Sequence, residues 1–477
     1  MIDDRPDVDR GLLRAIGLRD ATFLVITNVI GSAIFLTPGT MAAVLPSEPL
    51  LLAAWMAGGA IALSGGLTYA EMGAMFPRSG GLYVFLEEAY GPLVGFLFGW
   101  AGMLVILTGS VATVAVGFAK YFSYFVPALG TDRLALVVPL PWGAWAISSG
   151  QIVAAVSILA LGAVNYVGIE SGNRVQASLT ALKIAALAAL PIVALALHPV
   201  APSLTPVVPP VASPLRAFGV VMIAVMWAYE GWYYLPFCAG EIADAPRTVP
   251  RALMIGIASL TTIYVTINIA YMLALPLSSM QGVERIAEVA VTALVGPIGA
   301  SLVAATVVVS TFACNAAGVI AMSRACYAMA EDGLFFESAA KVHRRYRTPN
   351  VAIVMTCGWA ALLTLTGTYE QLFTWVTFAS VVFGVLGGTA IFRLRRSHPT
   401  LARPYRAWGY PWVPALFAAS LMVLVVNTLL EKPKESMIGV VLIAAGLPGY
   451  WYWSRKRRRQ GPVGVRPASS RFEPSRS

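Results

Sequence analysis

The sequence predicts an all-α integral membrane protein of about twelve transmembrane helices, a five-plus-five inverted repeat with discontinuous first and sixth helices. Three observations carry that expectation. Of the 477 residues, 58% are hydrophobic and 12% charged, with a mean hydropathy of +0.74. A soluble chain of this length has no interior able to hide so much apolar surface. Apolar stretches long enough to span a bilayer recur from end to end. Two of them are interrupted at matching places, by Gly31-Ser32-Ala33 in the first and by Ala228-Tyr229-Glu230-Gly231 in the sixth.

In chain order, residues 1–19 form a charged arm, 20–410 a ten-helix core, 411–453 two further membrane helices and 454–477 a basic tail. The first span covers 20–44 and the second 50–76, joined through Glu48-Pro49. Pro77 to Gly81 is an inner loop leading to the third span, 92–122. The outer loop 123–146 carries Pro127, Pro139 and Pro141 and has room for a short surface helix. Spans four and five cover 150–168 and 174–197, and Pro199–Pro214 reads as an extended outer connector. Spans six and seven cover 216–240 and 251–276. The eighth apolar stretch, 291–330, is too long for one vertical crossing, so it is either tilted or preceded by a surface helix. Spans nine to twelve cover 350–367, 371–393, 411–430 and 436–453.

A net charge of +10 raises the question of nucleic acid, but the placement of the charge argues against it. With the N-terminus in the cytoplasm, 25 Lys and Arg fall on the inner side and six on the outer side. That bias places both termini in the cytoplasm of a multi-pass cell (inner) membrane protein, with the basic tail against anionic lipid. A cleavable leader is not expected, because charged residues fill 1–19 ahead of the first apolar stretch. Cys238, Cys314, Cys326 and Cys357 lie in or beside apolar stretches without metal-type spacing. His198, His343 and His398 sit near loop ends, so neither a metal centre, a cofactor nor an enzyme's catalytic constellation is expected.

Interrupted spans have a physical meaning. Unwound backbone within a membrane is tolerated where it lines a cavity, and paired interruptions point to a transporter's substrate site. The bland alternative, a helix–helix contact made by small residues, stays open for the first break taken alone. Ile30-Gly31-Ser32-Ala33-Ile34-Phe35, Tyr69-Ala70-Glu71-Met72-Gly73 with Arg78-Ser79-Gly80-Gly81, and Trp227-Ala228-Tyr229-Glu230-Gly231-Trp232 together resemble the amino acid–polyamine–organocation superfamily, in its L-type amino acid transporter branch. Ser323-Arg324, Glu331-Asp332-Gly333-Leu334 and Arg403-Pro404-Tyr405-Arg406 extend the resemblance over nearly the whole chain. It implies an amino acid permease or exchanger on the twelve-helix fold. Ala33 departs from the usual third-position glycine, and Glu230 stands where large-neutral-substrate members carry a small neutral residue. No Cys lies in 120–149, so a heavy-chain disulfide partner is not expected.

An α-amino acid presents a carboxylate and an ammonium close together, and a broken helix offers free N–H groups and free C=O groups to match. The expected carboxylate cradle is the amides of Gly31, Ser32 and Ala33 with the Ser32 hydroxyl. The expected ammonium acceptors are carbonyls around Val29, Ile30, Trp227 and Ala228. Lys183 is an ammonium within the fifth span, costly at that depth and so a functional candidate, with snorkelling as the alternative. The resemblance implies that its amine reaches the first break, where related transporters hold a sodium ion. Glu230 is the second buried charge, either a counter-ion or proton carrier for substrate, or a group paired internally with Lys183 or a hydroxyl. By resemblance Trp227 is an aromatic gate and Trp232 shapes the side-chain pocket. Asn315 either reaches the first break or serves as interhelical glue. Two other functions compete with L-amino acid exchange. One is a basic amino acid or polyamine transporter using Glu230, and the other a non-transporting amino acid sensor on the same fold.

Overall fold

The computed structural model describes residues 16–77, 80–140, 143–167, 172–197, 213–343, 346 and 348–460. Most of the arm 1–19, Arg78 and Ser79, Pro141, most of the connector 199–214 and most of the tail lie outside the described residues. Among the described residues, eight helices are long and apolar enough to cross a membrane singly, and the bent pair Leu18–Val29 and Ala33–Val44 makes a ninth span. The broken sixth span and the shorter apolar helices at Lys183–Leu197 and Asn350–Thr364 complete the set of twelve. Spans 1–5 and 6–10 each open with a discontinuous helix, which is the five-plus-five arrangement.

Span 1 breaks because its backbone changes course at Ile30-Gly31-Ser32. The last regular bond runs from Ile30 N–H to the Ile26 carbonyl at 2.9 Å, and Gly31 N–H then turns back to Val29 O at 2.8 Å. Ala33 is already the first residue of the second half, which leaves at a bend of 42°. In span 6 the helix Pro214–Ala228 ends, the last helical bonds run from Tyr229 N–H to Val225 O and from Glu230 N–H to Trp227 O, and after Gly231 a tight 3₁₀ segment runs on as Trp232–Glu241. Gly231 is required there twice over. Its φ is 107°, and a Cβ would stand 2.9 Å from the Asn28 carbonyl oxygen of span 1. The two breaks therefore touch.

Span 2 is Glu48–Met75 and span 7 is Ala245–Ala274; they pack along each other, and span 7 also packs against span 1. Span 3, Pro92–Phe122, contains a π-helical turn at Gly102–Ile106 and packs along span 8. Span 8 runs Ile286–Glu331, and 46 residues of straight helix would be about 69 Å long. Gly296, at φ 76° before Pro297, divides it into a short helix and a crossing helix, which decides between the two expected explanations. Span 10, Tyr369–Ser397, begins with a capping box between Thr368 and Gln371.

Two loops differ from expectation. Leu82–Tyr90 is a nine-residue helix between spans 2 and 3, set off by positive-φ glycines at Gly80, Gly81 and Gly91. The outer loop holds no longer helix among its described residues, only a 3₁₀ turn at Pro127–Leu129 and the antiparallel hairpin Leu134–Leu140 with Gly143–Ser148. A short surface helix was expected here, but Leu134 to Val138 is an apolar, partly β-branched run that pairs readily as a strand.

Candidate functional site

The first half of span 1 ends in a row of carbonyls, and the structure gives each of them a partner. Lys183 is 1% exposed, and its ammonium donates to Ile30 O at 2.9 Å and to Thr27 O at 3.3 Å. Ser310 of span 8 donates to the same Ile30 oxygen at 3.3 Å. The Cys314 thiol points to Asn28 O at 3.3 Å. Tyr264 of span 7 donates its hydroxyl to Val29 O at 3.2 Å and to Ala228 O, at the end of the first half of span 6, at 2.9 Å. One hydroxyl thus links the carboxyl ends of both broken helices.

This geometry bears on two expectations. The Val29 oxygen accepts from Tyr264 and from Gly31 N–H, and the Ile30 oxygen from Lys183 and Ser310, so both lone pairs of each are engaged. They do not form an open row of acceptors. The Gly31 amide is likewise turned inward, which leaves Ser32 and Ala33 at the head of the second half-helix, where N–H groups lack intrahelical partners.

A cavity lies against the first break, lined by Asn28, Gly31, Ser32 and Ala33 and by Trp227 and Glu230. Its end is closed by a three-way contact. Tyr369 lies 3.0 Å from Ser32 Oγ and accepts from Trp227 Nε1 at 3.1 Å, while the Trp227 ring stacks on Phe373. Glu230 is held by the hydroxyls of Tyr233 and Ser380, the latter at 3.0 Å. Among the described residues it has no ion-pair partner, so the pairing with Lys183 is not found. A second cavity also touches Glu230 and is bordered by Trp232, Tyr233, Thr377 and Ser380. Trp232 belongs to this second cavity, where its ring packs on Tyr69 and Phe417. Asn315 lines the first cavity, and its amide, with nitrogen toward span 3, donates to Val111 O at 3.1 Å and accepts from Ala115 N–H at 3.3 Å.

Residues 16–451 match the family model described as amino acid permease. The chain belongs to the amino acid permease family. Within the amino acid–polyamine–organocation superfamily it falls with the L-type transporters, a family of transporters and not of enzymes. It is 31% identical over 453 residues to the serine/threonine exchanger SteT of Bacillus subtilis, covering 94% of this chain and 99% of that one. The human cystine/glutamate transporter is 26% identical over 454 residues, covering 94% of this chain and 87% of its own. The rat large neutral amino acids transporter small subunit 2 is 29% identical over 461 residues, with coverage of 93% and 82%.

Further contacts join the ends of other spans. Arg324 of span 8 forms a two-pronged pair with Glu241, at 2.5 and 3.1 Å, at the end of span 6. Ile16 bonds through its backbone to Glu241 O and Ala243 N–H, strapping the start of the chain over the same point. Glu71, fully buried at the end of span 2, receives Arg395 through two bonds of 2.9 and 2.7 Å and the Ala407 amide at 2.6 Å. Tyr264, Tyr369, Tyr233 and Ser380 were not among the expected site residues. Hydroxyls scattered through apolar spans carry no periodic signal, and only the fold shows which carbonyl or carboxylate each one meets.

Proposed function

We propose that the permease moves L-amino acids across the cell membrane by alternating access, as an exchanger, with both termini in the cytoplasm. The observation that carries this reading is the shared position of the two breaks, which face one cavity and are tied by one hydroxyl, Tyr264. The substrate carboxylate sits on the Ser32 and Ala33 amides with the Ser32 hydroxyl, at the positive end of the second half-helix. The ammonium sits toward the negative ends of the two first halves, with Trp227 and Ala228 behind it. Lys183 supplies a fixed positive charge that holds the break open in place of a bound cation. Contacts at the Tyr369 end close the site on one side, and Arg324–Glu241 closes it on the other. Each cycle releases one set at a time.

The relatives' names, among them a serine/threonine exchanger, support amino acid cargo and exchange. We read the permease as working without a disulfide-linked partner, since its cysteines lie at 238, 314, 326 and 357, away from 120–149. Glu230 favours a second reading, of substrates whose side chains end in a cation or other donor, because its carboxylate borders both cavities and has no ion-pair partner among the described residues. Thermal unfolding of the purified permease separates these readings. L-serine at 100 times its Kd is expected to stabilise it by about 2.7 kcal/mol. L-serinamide, which lacks the carboxylate, is expected to leave the midpoint unchanged. Equal stabilisation by both would overturn the carboxylate cradle, and stabilisation by L-lysine or a polyamine alone would favour the Glu230 reading.

A further inference from the structure

Asn28 is the residue of the first break that the reading so far leaves without a task. It lies in the last turn of the first half of span 1 and lines the first cavity beside Gly31 and Glu230. Its side-chain oxygen is buried with no hydrogen-bond partner. An unsatisfied buried amide is destabilising, and here no helix packing uses it as glue. Asn315, across the same cavity, differs in this respect, since its amide is engaged by the backbone of span 3.

The surroundings decide what would satisfy Asn28. A substrate ammonium is drawn to the negative end of this half-helix. The carbonyls of Thr27, Asn28, Val29 and Ile30 already accept from Lys183, Cys314, Tyr264 and Lys183 with Ser310. Among the described residues, the Asn28 side-chain oxygen is an acceptor at that end with no donor. We infer that the Asn28 amide oxygen accepts a hydrogen bond from the α-ammonium of the bound amino acid, making Asn28 a substrate-binding residue that reads the amino group. This rests on the amino acid reading above. It assigns to a side chain the role that the backbone carbonyls, already occupied, fill poorly.

Competition binding to the purified full-length permease tests it, with L-serine as probe and with Asn28→Leu and Asn28→Asp. Leucine keeps the volume and removes the acceptor. Asn28→Leu is expected to weaken L-serine binding by about tenfold or more, as loss of a charge-assisted bond implies. Asn28→Asp keeps an oxygen acceptor and removes the amide donor, so its L-serine affinity is expected to stay within about threefold or to rise. Unchanged L-serine binding by Asn28→Leu would overturn the inference. So would loss of binding in a folded Asn28→Asp, which would mean that the amide nitrogen makes the contact; this arm stands even where the leucine variant fails to fold. If the wild-type permease binds none of the twenty amino acids, the amino acid reading itself fails. If it binds L-serine and Asn28→Leu matches it, only the role of Asn28 fails.

Discussion

The Lys183 ammonium lies 2.9 Å from the Ile30 carbonyl oxygen, 153 residues away in sequence, at the point where span 1 loses its helical bonds. A carbonyl freed by a helix break and sealed from water needs a donor, and this one has a charged donor. The lysine thus holds the unwound backbone in one shape. Lys183→Ala removes that donor from Ile30 and Thr27 and is expected to abolish uptake while the protein still reaches the membrane. Normal uptake in proteoliposomes would remove Lys183 from the mechanism.

Tyr264 couples the two breaks, so Tyr264→Phe is a test of whether they must be held together. The substitution keeps the ring, which packs on Trp55 and Tyr229, and deletes the hydroxyl. Losing its bonds to Ala228 O and Val29 O is expected to destabilise the fold by about 1–3 kcal/mol. Transport is expected to fall by about tenfold in proteoliposomes, since the two half-helices lose their common tie. A lowered unfolding midpoint with unchanged transport would show the tie to be structural only.

Glu230 borders both cavities and is held by hydroxyls instead of a cation. Glu230→Gln is close in size and removes the charge. It is expected to weaken competition by L-lysine and L-arginine by about tenfold relative to L-serine and L-threonine. An unaltered ranking across the twenty amino acids would sink the counter-ion role.

Glu71 belongs to the scaffold. Two arginines and a backbone amide converge on its fully buried carboxylate, joining the end of span 2 to the end of span 10 and the segment that follows. Glu71→Ala strands Arg395 and Arg403 and is expected to cost about 3–5 kcal/mol, read as a lower unfolding midpoint in detergent. Its substrate ranking is expected to match that of the wild type. A changed ranking at unchanged stability would place Glu71 in the transport machinery instead.

The parts legible in the sequence were those that offend the membrane. Gly31 and Gly231 in apolar spans, and Lys183 and Glu230 at membrane depth, are conspicuous because lipid penalises loose backbone and charge. What was hidden follows from the same physics. Tyr264, Tyr369 and Asn28 look like ordinary span residues until folding brings Tyr264 to Val29, 235 positions away, or Tyr369 to Ser32, 337 positions away. The π-helical turn at Gly102–Ile106 leaves no mark in composition. The break covers Ile30 to Ser32, one residue earlier than Gly31 to Ala33, because Ala33, a good helix former, already begins the second half.

Exchange across a sealed membrane tests the central claim most directly. The permease is reconstituted in liposomes, and uptake of radiolabelled L-serine is measured with and without unlabelled L-serine inside. A broken-helix site that cycles between two closed ends is expected to give saturable uptake, accelerated by internal L-serine and abolished by Lys183→Ala. Equal uptake into empty and preloaded vesicles would contradict exchange. No uptake of L-serine or of any other of the twenty amino acids would contradict the amino acid site itself.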